Sequence, residues 1–119
     1  YGTGLNVRDW LFVEDHCSAI DTILREGKSG ETYNVGTNNE LDNMTLIKAI
    51  CALMDKKVPA KDGQSYTSLI THVKDRPGHD FRYAVDASKL KEHTSWRPKY
   101  NFEEALEYTI DWYIKKLST

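Results

Sequence analysis

The most constraining feature of the sequence is an alternation of short β-forming runs with amphipathic helical segments along its whole length. Residues 5–13, 31–35 and 81–85 are rich in β-formers and read as short extended segments. Apolar residues at helical spacing predict helices over 44–55 and 102–117. The apolar face of the second of these helices consists of Phe102, Leu106, Ile110, Tyr113, Ile114 and Leu117. This order predicts an α/β or α+β fold with short strands.

Capping residues predict where the helices begin and end. Asp15 is placed to cap a first helix, which we expect to stop at Gly27. Asp42 or Asn43 is the expected cap of the second helix, after a polar loop. Asp86 is expected to cap a short helix that runs through Leu90.

Size and charge exclude several classes of protein. A chain of 119 residues can bury one core, with about two thirds of its unfolded surface removed from water. Its 16 basic and 18 acidic residues give a net charge of -2, which argues against nucleic-acid binding through clustered cations. No apolar run approaches the roughly 20 residues needed to cross a bilayer. We therefore expect neither a nucleic acid nor a membrane as partner.

The two cysteines, Cys17 and Cys51, are too few for a disulfide framework or a zinc site. Both lie in apolar helical patterns, so we expect buried free thiols in a reducing, cytoplasmic compartment. The chain begins at Tyr1 without an initiator Met or an apolar leader. This start predicts a piece of a longer protein.

Familiar catalytic motifs are incomplete. Gly2 and Gly4 match the first two glycines of a dinucleotide fingerprint, but Val7 stands at the third position and β-formers follow it. The tripeptide Gly27-Lys28-Ser29 ends a predicted helix instead of opening one, unlike a phosphate loop. No Tyr is followed four places on by Lys, and no nucleophile or metal-ligand signature is present. We predict binding groups, with no catalytic set and no metal site.

Two segments carry candidate binding groups. Arg8 lies in a β-rich segment, and its guanidinium offers a fork of donors suited to phosphate. An ordinary strand arginine paired with a carboxylate is the alternative, and the local sequence favours it. Residues 75–79, after an expected short strand over 70–73, form a stiff turn that presents Arg76 and His79. That turn suits a diphosphate and is equally compatible with a solvated loop.

Several motifs resemble the extended short-chain dehydrogenases that act on nucleotide sugars. They are Asn6-Val7-Arg8-Asp9-Trp10-Leu11, Gly30-Glu31-Thr32-Tyr33-Asn34-Val35-Gly36 and Trp96-x-Pro98. The segment 75–80, followed by Arg82-Tyr83-Ala84-x-Asp86, is similar to the branch of this family that dehydrates a dTDP-hexose. The resemblance implies an α/β fold in which residues 1–119 form one C-terminal substrate-binding domain. The N-terminal Rossmann domain of the family would then lie outside this chain.

The resemblance also implies which residues bind the substrate. Arg8 and Arg76 would contact the diphosphate, and Asn43 the nucleotide or phosphate from a helix start with free backbone donors. Asp75 and His79 would fix the nucleotide end and the turn. The full substrate-binding set is Tyr1, Arg8, Asn43, Asp75, Arg76, Pro77, Gly78 and His79.

Further implications concern the complete enzyme. It would be an NAD-dependent lyase of deoxysugar and rhamnose biosynthesis, a homodimer whose NAD site and Tyr/Lys pair lie upstream. The chain alone would be inactive, and it would self-associate or rearrange at Thr32–Val35, a segment that resembles a strand of the N-terminal sheet. Two alternatives stay open: another nucleotide-sugar epimerase or decarboxylase of the family, and a non-catalytic interaction module with a helical face over 102–117.

Overall fold

A small mixed sheet joins three distant parts of the chain in the computed structural model, which describes residues 1–118. Its strands are β1 (Val7–Asp9), β2 (Glu40–Asp42) and β3 (Arg82–Tyr83). The central strand β1 pairs antiparallel with β2, with Arg8 opposite Leu41, and parallel with β3, with Arg8 opposite Tyr83. The sheet therefore places the region before β3 beside the first residues of the chain.

Four α-helices accompany the sheet, and the predicted α/β class is confirmed. The helices are α1 (Val13–Glu26), α2 (Asn43–Lys57), α3 (Ser88–His93) and α4 (Phe102–Leu117), with a 3₁₀ helix at Tyr66–Leu69. The predicted bounds of α4 are confirmed at both ends. Asn101 explains its start, because the Asn101 side chain accepts from the Glu104 amide at 2.8 Å and the Glu104 side chain reaches back to the Asn101 amide.

The strand predictions were only partly right. Within residues 1–118, neither 31–35 nor 70–73 forms a strand, because neither forms a ladder of backbone hydrogen bonds with another segment; 70–73 has only the single bond from the Gly2 amide to the Val73 carbonyl. The run 5–13 contributes only β1 and then enters α1 at Val13. Part of the predicted polar loop before α2 is β2, since β1 offers it a partner that the local sequence does not reveal.

The predictions of the helix caps were also only partly right. Of the two candidates for α2, Asp42 is the cap, and its Oδ1 accepts from the Thr45 amide at 2.7 Å. Helix α1 ends at Gly27 as predicted. Asp15 does not cap it, because the helix begins earlier, at Val13, and Phe12 is its N-cap residue. Asp86 accepts from the Ser88 amide at 2.9 Å, but Ala87 is the N-cap residue of α3, and the helix continues to His93, beyond the predicted end at Leu90.

Asp15 is buried within α1 and has a different role. Its side chain is 2% exposed, and Oδ1 accepts a hydrogen bond from the Lys99 amide at 2.8 Å. The second oxygen, Oδ2, accepts a longer bond from the Tyr100 amide at 3.4 Å. The carboxylate therefore ties the segment that leads into α4 to the beginning of α1.

The core is smaller than the length predicts. Ala19, Leu90 and Trp96 form its buried centre, with Ile23 packed against it. The accessible surface is 8553 Å², against roughly 6,600 Å² for a typical compact monomer of this mass. The radius of gyration is 17.3 Å, where about 13.5 Å is usual. The predicted burial of two thirds of the unfolded surface is therefore not reached.

The cysteines differ in exposure. Cys51 is buried in α2, as predicted, whereas Cys17 is exposed on α1. The prediction for Cys17 was wrong because α1 buries the face of Asp15, Ala19 and Thr22, whereas Cys17 lies on the face of the exposed Leu24. Across residues 1–118, every helix is too short or too polar to span a bilayer.

Candidate functional site

The turn over residues 75–79 is closed by the carboxylate of Asp75. Its Oδ1 accepts from the backbone amide of Arg76 at 2.9 Å and lies 2.7 Å from Nδ1 of His79. Gly78 has a φ of +68°, which a residue with a side chain adopts only at a cost. The hydrogen bond to His79 is the main cause that lowers the pKa of the Asp75 carboxyl, so Asp75 is ionised at neutral pH.

His79 is held on two sides. Its side chain is only 6% exposed, although the turn around it faces solvent. The ring of Tyr1 meets the imidazole edge-on, with centroids 6.3 Å apart and planes at 80°. Tyr1 and His79, two members of the predicted substrate-binding set, are thus brought into contact across almost 80 residues of chain.

The first residues of the chain are hydrogen-bonded to the segment before the turn. The Gly2 amide donates to the Val73 carbonyl at 2.9 Å, and the Gly2 carbonyl lies 2.9 Å from Nδ1 of His72. Gly2 has a φ of +57°, and a Cβ there would lie 2.9 Å from Oδ2 of Asp75. A glycine is needed because the backbone passes directly against the carboxylate that closes the turn.

Arg8 is fixed by backbone carbonyls. Its Nη2 donates to the carbonyl of Asp80 at 2.9 Å and its Nη1 to the carbonyl of Val7 at 2.7 Å. The side-chain amide of Asn6 donates to the same Asp80 carbonyl at 3.1 Å. Within residues 1–118 the guanidinium forms no ion pair. The alternative interpretation, an ordinary strand arginine paired with a carboxylate, was therefore wrong. The neighbouring carboxylate of Asp9 accepts instead from the amides of Thr37 and Asn39.

Asn43 opens α2, but the predicted free backbone donors of that helix start are already used. The Asn43 amide donates to the Asn6 carbonyl at 3.1 Å, and the Met44 amide to the Gly4 carbonyl at 2.9 Å. The Thr45 amide donates to the Asp42 cap. The expectation of an anion at these amides was therefore wrong, because the carbonyls of Gly4 and Asn6 and the Asp42 cap occupy them. The Asn43 side chain lines a cavity of about 310 Å³ together with Tyr1 and His72.

The remaining members of the predicted set are exposed. Arg76, Pro77 and Gly78 lie at the tip of the turn, and the Arg76 guanidinium has no hydrogen bond or ion pair within residues 1–118. Sequence reasoning missed the site contributions of Asn6, Gly2 and His72. Asn6 could have been found as the polar neighbour of Arg8 in a β-rich motif, whereas nothing local distinguishes His72 from a surface histidine.

A second, larger depression lies between the start of α1, α2 and α4. Its volume is about 660 Å³, and aromatic rings from Phe12, Tyr108 and Trp112 line it. Phe12 and Tyr108 meet edge-on with centroids 5.7 Å apart, which agrees with a packing role for the aromatic residues of α4. Tyr108, Trp112 and Tyr113 nevertheless remain about half exposed.

The glycines near the start of the chain do not form a dinucleotide cradle. Gly4 precedes a strand, and a Cβ on it would lie 2.6 Å from Cγ of Met44. The absent side chain makes room for α2, and the element that follows Gly4 directly is β1 and not a helix that could receive a pyrophosphate. The residues present do not fit NAD.

The turn that bears Arg76 and His79 is hydrogen-bonded, through the Asp80 carbonyl, to the central strand that carries Arg8, and comparison with known proteins gives the class of protein. Residues 1–109 match the model of the GDP-mannose 4,6 dehydratase family, and the chain belongs to that family.

Individual relatives have a more specific name than the family. The chain is 56% identical over 114 residues to dTDP-glucose 4,6-dehydratase of Xanthomonas campestris, which covers 96% of this chain and 32% of the relative. A crystal structure of dTDP-glucose 4,6-dehydratase from Bacillus anthracis in complex with NAD superposes with a TM-score of 0.81 at 46% identity, over 99% of this chain and 34% of that one.

A dTDP-glucose 4,6-dehydratase from Streptomyces venezuelae, with NAD and TYD bound, gives a TM-score of 0.82 at 34% identity and the same coverage of both chains. The chain thus spans about a third of the length of the relatives it matches. The resemblance expected from the sequence motifs is confirmed.

Proposed function

We propose that this chain is the C-terminal, nucleotide-sugar-binding domain of a dTDP-glucose 4,6-dehydratase. The complete enzyme would convert dTDP-glucose to dTDP-4-keto-6-deoxyglucose and water, with NAD held by residues outside this chain. The observation that carries the proposal is the convergence of Arg8 and Asn6 on the Asp80 carbonyl, directly after the Asp75–His79 turn. The names and identities of the relatives support the choice of substrate.

Arg8 is suited to hold one side of the diphosphate. Its two bonds to carbonyls use two of the five N–H donors of the guanidinium. Those bonds fix its direction before a ligand arrives, so little rotamer entropy is lost on binding. The other donors can form charged hydrogen bonds with phosphate oxygens, which are about twice as strong as neutral ones.

Arg76 would hold the other side. Its guanidinium extends from a turn stiffened by Pro77 and by the Asp75 carboxylate, and within residues 1–118 it has no competing partner. The Asn43 side chain and the Tyr1 ring, which share a cavity wall, would contact the nucleotide beside it. Two positive charges then meet the two negative charges of a diphosphate.

The chain by itself would bind the nucleotide sugar but would not catalyse its dehydration. We expect no dehydratase turnover from it, because the Tyr/Lys pair and the acid and base of water elimination would lie in the rest of the enzyme. We further infer a cytoplasmic, homodimeric enzyme that binds neither nucleic acid nor membrane and serves deoxysugar or rhamnose synthesis. A spectrophotometric assay that showed dehydratase turnover by the chain alone would contradict the expectation that its catalytic groups lie in the rest of the enzyme.

Calorimetry tests the binding site directly. We expect dTDP to bind more tightly than UDP or GDP, and Arg76→Ala to lower dTDP affinity by about 1.5–3 kcal/mol, the worth of a charged hydrogen bond. Arg25→Ala is the matched control, because Arg25 is an exposed arginine on α1 paired with Asp21.

Equal affinity for the three nucleotides, or equal losses in the two arginine variants, would overturn the proposal. A preference for UDP would favour an epimerase or decarboxylase. No nucleotide binding at all would favour an interaction module.

A further inference from the structure

One side of α4 carries an exposed stripe of side chains with opposite charges at its two ends. The α4 stripe consists of Glu104, Tyr108, Trp112 and Lys115, which follow one another at helical spacing. At 3.6 residues per turn, this spacing keeps all four side chains on the same side of the helix. Ile110 on the opposite side is buried, whereas Tyr108 and Trp112 are about half exposed. The α4 stripe is therefore the solvent-facing side of the helix.

The Trp112 ring in this stripe is already held in place. The Lys116 ammonium lies 4.6 Å from the centroid of the ring, and the Tyr113 ring meets it edge-on at 4.8 Å. A side chain that its neighbours already order loses little entropy when a partner covers it. Tryptophan is also among the residues that contribute most to binding at protein interfaces. Trp112 is therefore suited to the centre of a docking surface.

The charged ends of the stripe are not neutralised within residues 1–118. The Glu104 carboxylate accepts the Asn101 amide at 3.5 Å, and neither Glu104 nor Lys115 forms an ion pair with a described residue. Asp111 lies beside the stripe and differs from them, because its carboxylate is 2.8 Å from the Lys57 ammonium. The stripe thus presents one negative charge near the start of α4 and one positive charge near its end.

We propose that the α4 stripe binds the α4 stripe of a second copy of this chain, with the two helices antiparallel. The stripe is nearly symmetric about its midpoint, so this pairing places Glu104 of each copy opposite Lys115 of the other. Tyr108 of each copy then lies opposite Trp112 of the other, as twofold symmetry requires. Charge complementarity selects this arrangement, because a parallel pair would bring like charges together. The inference is independent of the proposed function, and it concerns a different surface from the extended segment 31–35.

The depression of about 660 Å³ beside the stripe extends the docking surface beyond one helix. Phe12 lines it and meets Tyr108 edge-on, and the neighbouring Val13 is exposed. A stable interface takes about 800 Å² from each partner. A second copy packed along α4 would cover this apolar wall in addition to the stripe.

Charge reversal tests the pairing by sedimentation equilibrium. All variants are made in the Asn34→Lys background, where a lysine on the extended segment opposes association at that edge. In this background we expect a dimer of about twice 13.7 kDa. Glu104→Lys sets lysine against lysine in the pair, and Lys115→Glu sets glutamate against glutamate. We expect each to raise the dimer dissociation constant about tenfold or more.

An equal mixture of the two reversed variants should form a heterodimer with the affinity of the unreversed chain, because every lysine then faces a glutamate. Glu103→Lys and Lys56→Glu are the matched controls. Glu103 is in the same first turn of α4 but lies off the stripe, and Lys56 is in the last turn of α2, as Lys115 is in that of α4. The controls should dimerise like the unreversed chain, alone and mixed.

Salt provides a measurement that needs no charge reversal. We expect the dissociation constant of the unreversed dimer to rise with sodium chloride, because salt screens exposed ion pairs. A constant that does not rise, reversed variants that dimerise normally, or a mixture that does not recover would each overturn the inference. A monomer in the Asn34→Lys background would also overturn it and would leave the stripe to the rest of the enzyme or to another protein.

Discussion

At the scale of single residues, Asp15 shows how far a side chain's role can depart from its local sequence. Its position before an apolar helical run suggests a cap, yet its oxygens accept the amides of Lys99 and Tyr100 from the segment before α4. Nothing near residue 15 indicates a partner more than 80 residues away. Only the folded chain brings the two segments together.

We expect Asp15→Ala to lower the free energy of unfolding by about 2–3 kcal/mol, because it leaves two amides without their charged acceptor. The measurement is urea denaturation followed by circular dichroism. Asp21→Ala on the same helix removes only an exposed pair with Arg25 and should cost no more than about 0.5 kcal/mol. Similar losses in both variants would show that the buried carboxylate has no special role.

The elements are held together at points where their backbones approach closely. Gly4 has a φ of +74° and leaves room for the Met44 side chain at the start of α2. Its carbonyl accepts the Met44 amide at 2.9 Å. Residues 1–6 can therefore pack against helix α2 only because position 4 has no side chain.

Gly4→Ala and Gly63→Ala form a matched pair. Both glycines have a φ of +74°, but a Cβ at Gly63 would meet nothing within 4 Å. Each variant carries the cost of a left-handed alanine, about 1–2 kcal/mol. We expect Gly4→Ala to cost about 1–3 kcal/mol more in urea denaturation, because its methyl group overlaps Met44. Equal losses would contradict the packing role of Gly4.

Which elements sequence reasoning could predict follows from the range of the interactions that stabilise them. Helix α4 was predicted to the residue from its apolar period, which is a local feature of the sequence. The segment 31–35 was predicted as a strand from its β-formers, yet within residues 1–118 it has no partner strand. Strands depend on neighbours from elsewhere in the chain, so composition alone locates them poorly.

At the scale of the whole molecule, the surface is larger than the length requires. The Lys89 ammonium holds the extended segment at its start, with bonds to the Glu31 carboxylate and the Thr32 carbonyl. The backbone of residues 33–35 forms no main-chain hydrogen bond within residues 1–118. Unpaired extended backbone is a template for pairing with another chain.

We therefore expect the chain by itself to self-associate, with a mass above 13.7 kDa in multi-angle light scattering. Asn34→Lys should shift the mass toward the monomer, because a lysine on an exposed edge opposes pairing. Ser68→Lys adds the same charge at an exposed position of the 3₁₀ helix and should have no effect. A monodisperse monomer with the amides of 32–35 protected from hydrogen exchange would contradict this expectation.

The sequence by itself determined the fold class, the bounds of α4, the end of α1 at Gly27 and the family resemblance, because these depend on residues close together in the chain or on contiguous motifs. Tertiary structure alone decided that Arg8 bonds to the Asp80 carbonyl, that Asp15 is a buried anchor, and that the amides of Asn43 and Met44 at the start of α2 are occupied. Each of those outcomes joins groups separated by dozens of residues. Their meeting is set by the packing of the whole chain, and no local pattern records it.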